Sequence, residues 1–518
     1  MSARTRIMAR TLAAALALGV LGDALMPDGP RGAGFALWLV VVAAQTLWLA
    51  RDSSERTPAI SGWLCAVAVC FALLVPLRDS PLLGVLNMFA LVVTFTLLSL
   101  SLRARRPAML VRSGFGEYIG AAGRVGGSVA IGLAPLLGAE VRAAAVPEER
   151  YKQRVALVGR GALLALPALL VFGGLFMSAD PVFADIAQRA LGFDTDVLAR
   201  HVVFTTVLAW GVAGYLRSAL LDPVHRRRIA GWARPEIGMV EAGVILGLLN
   251  ALFLVFVLVQ LRYLFGGSAV VSETAGLTYA EYARTGFFQL VAVSVLLFPV
   301  LVGVHAMLRG ARGVNRRAYM CLAGSLLLLL SVIMLSALQR MRLYTGEYGL
   351  TEMRLYATAF MFWVAVVFVI FIATVLRGRP RGLAFGSVVS GWAFVAGLNV
   401  LNPDAFIARW NLEHALPPAM NAAADDNAHA DSVDTAPRAV DVAYLTGLSA
   451  DAIPALVAAF PRLTAAEQCA VARRVRRAAE RRAADDWRSW NLGYSRTGAL
   501  VQPQVRRRQC DPAASSSQ

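Results

Sequence analysis

The chain has 518 residues, 58% hydrophobic and only 16% charged, against roughly 25% charge in soluble domains, and its mean hydropathy is +0.60. That composition excludes a water-soluble multidomain enzyme, and five cysteines in so long a chain exclude a disulfide scaffold, which leaves a polytopic membrane protein. The net charge of +17 lies almost wholly in residues 1–401, which carry +16 against +1 for 402–518; it reads as orientation toward the cytoplasmic leaflet, with the bilayer and not nucleic acid as the partner.

A membrane-crossing helix needs about 20 mostly apolar residues. Eleven stretches qualify: 11–26, 33–50, 59–76, 82–102, 158–178, 202–220, 238–260, 286–308, 319–338, 355–376 and 383–401. The first follows Arg4, Arg6 and Arg10, but Asp23 and Met26 offer no small-residue cleavage site, so it reads as a retained helix and not a signal peptide. With the N-terminus in the cytoplasm, the inner segments carry 25 Lys+Arg and the outer ones nine, with Arg226, Arg227, Arg228, Arg309, Arg312, Arg316 and Arg317 all inside. Residues 119–137 are glycine-rich and contain Arg124. They read as an interfacial or re-entrant segment, because a twelfth crossing would move the basic 221–237 loop outside. Eleven crossings put the C-terminus outside, in a bacterial inner membrane.

The chain therefore divides into a four-helix membrane region (1–102), a cytoplasmic basic or interfacial segment (103–157) and a seven-span core (158–401). An interfacial turn and linker (402–440), a helical C-terminal module (441–495) and a disordered tail (496–518) follow. The fold class is all-α, a transmembrane helical bundle with a small helical C-terminal module. In the module, Ser449 is placed to cap a helix ending at Pro461, and Thr464 with Glu467 forms a capping box. The next helix carries Arg473, Arg474, Arg476, Arg477, Arg481 and Arg482, followed by Trp487 and Trp490. That reads as a solvated face paired with Glu480, Asp485 and Asp486, ahead of anionic-lipid contact. Cys469 and Cys510 would pair only in an oxidising compartment, and Cys510's place in an unstructured end counts against it.

No HExxH, GxSxG, P-loop or CxxC occurs, and the histidines at 201, 225, 305, 414 and 429 lack ligand spacing, so no metal and no cofactor is expected. Gly243 with Gly247, and Gly386 with Ser390, have the four-residue spacing of close helix packing in lipid. Glu241 and His305 fall at the same end of neighbouring helices and could pair.

Three polar stretches share the outer side on this topology: TYAEYARTGFFQL (278–290), QRMRLYTGEYGLTEMRLY (339–356, linking spans nine and ten) and NPDAFIARWN (402–411). Together they present Tyr279, Glu281, Tyr282, Arg284, Arg340, Arg342, Tyr344, Glu347, Tyr348, Glu352, Arg354, Asn402, Asp404, Arg409 and Asn411. Charges at the hydrocarbon edge are costly and are usually paired or functional. Each also has a plain role to play, as a belt tyrosine, a snorkelling arginine or an Asn-Pro-Asp turn.

YGLTEMRLY (348–356), TYAEYARTGFF (278–288), NPDAFIARWN (402–411) and DVAYLTGLSADAIPAL (441–456) resemble a family of bacterial multi-span membrane proteins known only as a domain of unknown function, over roughly 150–456. The resemblance implies an inner membrane protein with a hydrophobic bundle and a small helical C-terminal module, and no assigned catalytic or binding residues.

Three function classes follow. The leading expectation is solute transport or binding through an outer vestibule, with Arg340, Arg342 and Arg354 for an anionic small molecule and Glu281, Glu347 and Glu352 as their partners. The second is an outer-leaflet membrane enzyme with Glu347 or Glu352 as acid/base. The third is a sensor or assembly partner that meets another envelope protein through residues 441–495.

Overall fold

The computed structural model describes residues 3–53, 59–103, 108–132, 176, 180, 195–221, 237–265, 287–308, 314–378, 380–416, 441–484 and 486–499. These are helical throughout apart from turns and one isolated bridge between Ile237 and Leu308. Among the described residues ten helices are long and apolar enough to cross a membrane, and they coincide with ten of the eleven stretches expected; of the stretch at 158–178 only Phe176 is described. The fold is an all-α polytopic bundle. The chain forms two compact units, residues 1–225 with 479–498, and residues 226–478 with 499–518, so the division falls inside the stretch expected to form one seven-span core.

The first unit holds helices α1 (Ala3–Leu25), α2 (Gly32–Ser53), α3 (Ala59–Leu74), α4 (Pro81–Arg103), α5 (Phe115–Ile131) and α6 (Thr195–Leu220). Helix α1 lies directly on α6. A Cβ at Gly19 would sit 2.7 Å from both the Ala209 Cβ and the Thr205 carbonyl, so only glycine permits the approach. Met8, Ala15, Leu18, Val212, Ala213 and Leu216 fill the contact, and Trp38 Nε1 donates to the Leu18 carbonyl at 2.8 Å. Helix α5 covers most of the 119–137 stretch. It is 17 residues of ordinary helix with Tyr118, Ala121 and Ser128 buried on one stripe and Ile119 and Ile131 exposed, and it is not among the candidate spans.

The second unit holds α7 (Met239–Phe265), α8 (Phe287–Met307), α9 (Val314–Tyr348), α10 (Glu352–Phe371, continued by a π turn to Leu376) and α11 (Leu383–Leu401). Helix α12 (Pro403–Ala415) follows, and the C-terminal module supplies α13 (Val442–Gly447), α14 (Ile453–Ala459) and most of α15 (Ala465–Ala484). The last described helix, α16 (Leu492–Ala499), belongs to the first unit except for its final residue and runs across the tail boundary expected at 496.

Polar groups face inward and apolar ones outward, the arrangement a helix in lipid requires. On α4, Asn87 and Thr94 are buried while Val85, Phe89 and Val92 are exposed. Between α7 and α9, Asn250 Nδ2 donates to the Leu322 carbonyl at 2.9 Å and Asn250 Oδ1 accepts from Ser325 Oγ at 2.7 Å. One level along, Gln260 Oε1 accepts from Ser336 Oγ at 2.6 Å and from Arg340 at 3.1 Å.

Several local expectations need correction. Residues 339–348 are not a link but the last turns of α9: LQRMRLYTGEY contains no proline, and its one glycine, Gly346, is carried within the helix at a cost of about 1 kcal/mol. Gly243 and Gly247 have open space where a Cβ would stand, whereas Gly386 does lie against Ile370 at 3.0 Å. Glu241 accepts from the Gly238 N–H at 2.7 Å, and the His305 ring packs on Tyr319. Ser449 makes no side-chain cap. Glu467 reaches back to Thr464 N at 2.8 Å, which is half of the expected capping box.

Candidate functional site

The joint between the membrane helices and the C-terminal module in the second unit concentrates the polar residues. Its frame is set by two backbone reversals. Gly349, at φ +75°, turns the chain from α9 into α10. Asn402, at φ +55°, is at once the C-cap of α11 and the N-cap of α12, with Pro403 as first helical residue. Asparagine tolerates this left-handed conformation better than most side chains, and proline starts a helix without wasting a donor.

These turns bring the first turns of α10 and α12 together. Asn411, two turns into α12, brackets the α9–α10 connection: the Leu350 N–H donates to its Oδ1 at 2.7 Å and its Nδ2 donates to the Leu350 carbonyl at 2.8 Å. A Cβ at Gly349 would stand 2.9 Å from that same Oδ1. Arg354 turns back to the end of α9, donating to the Tyr348 carbonyl at 3.1 Å and to the Gly349 carbonyl, with its guanidinium 4.1 Å from the centre of the Tyr344 ring. A cation at the C-terminal end of a helix is favourable for the carbonyls it satisfies and the dipole it meets.

The C-terminal module closes the joint. Asp441 caps α13 by accepting from the Tyr444 N–H at 2.9 Å, and this sets the Tyr444 ring. The Tyr444 hydroxyl then accepts from the Glu352 N–H at 2.8 Å, one of the donors left over at the start of α10. Ser449 N–H donates to Asp404 Oδ2 at 3.3 Å. Asp404 is fully buried, and its Oδ1 has no donor among the described residues. The Glu352 carboxyl stands beside it. Burial, with the Glu352 and Asp404 carboxyls adding to it, pushes the Tyr444 phenol above its ordinary range, against the nearby Arg354.

Of the residues singled out from the sequence, Tyr348, Glu352, Arg354, Asn402, Asp404 and Asn411 converge here. Arg340 is engaged with Gln260 farther down α9, while Arg342 and Arg409 are exposed. Glu347 lies in the last turn of α9. Tyr279, Glu281, Tyr282 and Arg284 lie outside the described residues. Tyr444 and Ser449 were not among the candidates, although both fall within the YLTGLS stretch of the module. Among the described residues no three His, Cys, Asp or Glu side chains form a group that could hold a metal ion.

Inward-facing polar groups on apolar helices, ten of them among the described residues long enough to span a bilayer, and a small helical module define a polytopic all-α integral membrane protein. The chain belongs to the family described as "Domain of unknown function (DUF4153)", which matches residues 64–459 and so begins well before the stretch that carries the motifs. No curated protein and no solved structure matches the chain.

Proposed function

We propose that this is a bacterial inner membrane protein with its N-terminus in the cytoplasm and its C-terminal module outside, and that it acts as a sensor or assembly partner whose module passes a change to the membrane helices. The observation that carries this reading is the joint itself. Two backbone and hydroxyl groups of the module, Tyr444 Oη and Ser449 N, engage the first turns of α10 and α12 at a buried acidic pair. Sidedness is supported by the basic inner loops. It is also supported by the disulfide at Cys469, a bond that persists in oxidising compartments.

The solute-binding reading keeps one favourable observation, the buried Asp404 Oδ1 without a donor, which a hydrogen-bond-donating group would satisfy. An anionic solute is less well served, because Arg354 is committed to helix-end carbonyls and Arg340 to Gln260. The enzyme reading would rest on Glu347 or Glu352; Glu352 is part-buried beside the enclosed Asp404, and no further observation favours it.

The test is genetic. A chain lacking residues 441–478, which keeps the 486–491 contacts of the first unit, should insert at normal levels yet fail to restore a strain from which the gene has been deleted. Tyr444→Phe, which removes the acceptor for the Glu352 N–H, should fall between the two. Full restoration by the truncated chain would overturn the proposal.

A further inference from the structure

At the end of the first unit where α1, α2, α3 and α4 meet their connecting loops, residues 486–491 are fastened to α1, α2 and both of those loops. Arg488 donates to the Ala24 carbonyl in the last turn of α1, and Ser489 Oγ donates to Asp28 Oδ2 at 2.8 Å in the α1–α2 loop. Ala33 N–H in the first turn of α2 donates to the Trp490 carbonyl at 3.1 Å, and Asn491 Nδ2 donates to the Arg78 carbonyl after α3 at 3.1 Å. Gly32, at φ +65°, makes room for this: a Cβ there would stand 2.6 Å from the Ser489 carbonyl carbon. Four candidate spans end at this level, at Leu25, Gly32, Leu77 and Pro81, so the level is that of a membrane–water boundary.

The segment holds its backbone and small side chains inward and turns its two indoles out. Trp487 is 61% exposed and Trp490 40% exposed. Large aromatic rings pointing away from a packed joint need a second medium, and tryptophan is enriched where one end of the ring is apolar and the other wet. Arg31, in the loop beside Gly32, and Arg496, in α16, are exposed and make no side-chain hydrogen bond or ion pair among the described residues. They offer cations at the depth where phosphate groups lie.

We propose that Trp487 and Trp490 form an interfacial anchor that seats the C-terminal segment in the phospholipid headgroup layer around the first four spans, with Arg31 and Arg496 facing lipid phosphate. The occupant is lipid, because the pair is pinned to the ends of helices whose remaining outward surface is apolar. Val85 and Phe89, on the α4 turns that follow, are exposed in the same way.

The experiment uses the full chain in phosphatidylcholine nanodiscs, with the phospholipid brominated either near the headgroup or deep in the acyl chain. The fluorescence of wild type minus that of Trp487→Phe/Trp490→Phe isolates this pair from the other tryptophans. Should the double variant not fold, each single Phe variant gives the same difference for one ring. We expect shallow bromine to quench the difference signal at least twofold and deep bromine to quench it less. Quenching by aqueous acrylamide alone would place the rings in water and overturn the proposal. Resistance to both quenchers would overturn it too, since the rings would then be covered by protein, a second copy included.

Discussion

At the Glu352–Asp404 contact two carboxyls stand side by side, and Asp404 Oδ1 is buried without a donor among the described residues. Glu352→Gln supplies a permanent N–H of nearly the same shape, so the unfolding temperature of the variant should equal or exceed that of wild type. Glu352→Ala supplies no donor, and a buried acceptor left unsatisfied costs about 1–3 kcal/mol, so its unfolding temperature should stay several degrees below that of the Gln variant. If Gln gained nothing over Ala, Asp404 Oδ1 would not be the group in want of a donor. Asn411→Ala removes both hydrogen bonds to Leu350 and should cost about 2–3 kcal/mol, measured in the same thermal assay. These residues were visible in the sequence as polar letters at the edges of apolar runs. What could not be read there is what each one touches. Arg354 spends its charge on the carbonyls of the helix before it, and the hydroxyl that Glu352 meets arrives from 92 positions away.

Helices and their ends were the most legible level, because apolar runs of membrane length have few alternatives. The misplaced feature was the end of α9. The sequence reading makes LYTGEY part of a link, yet it holds no proline, the helix carries Gly346 within it, and α9 reaches 35 residues before Gly349 turns the chain. The docked segment 486–491 was the least legible element, since its partners lie more than 400 positions upstream. It has two handles. Gly32→Ala combines an unfavourable φ with a collision at Ser489; proteolysis should then cut near 486–491 while the membrane helices stay intact. Arg488 holds the Asp486 carboxyl below the ordinary carboxylate range through its side-chain hydrogen bonds. A depressed folded value means that the pair's contribution is present above the unfolded value of 3.8 and is lost as pH falls through the folded one. Both groups are exposed, so the effect is small and screened by salt. Protease sensitivity of the segment should rise below about pH 4, and Asp486→Asn should remove that acid-dependent step.

For the molecule as a whole, composition was enough to establish a multi-pass membrane protein, and hydropathy was enough to count most of its helices. The division into two units was hidden, because it depends on α1 choosing the distant α6 as a neighbour through Gly19. Sidedness is the property that remains to be measured, and two readouts bear on it independently. Alkaline phosphatase fused after Gln518 should be active and a fluorescent protein at the same point dark. Cys469 should resist alkylation until a reductant is added. Active fluorescent protein with silent phosphatase would reverse the topology and with it the proposed role of the module.

The fastening of Arg488, Ser489 and Asn491 to α1, α2 and the Arg78 carbonyl also orders the birth of the protein. These early helices receive their final contacts from residues made more than 400 positions later. Until residue 491 has been made, the Asp28 carboxylate and two backbone carbonyls at that end wait on water for their donors. A ribosome that stalls or a transcript that ends early would therefore release a chain that is inserted but unfinished at its oldest part, a state that a membrane quality-control protease could recognise.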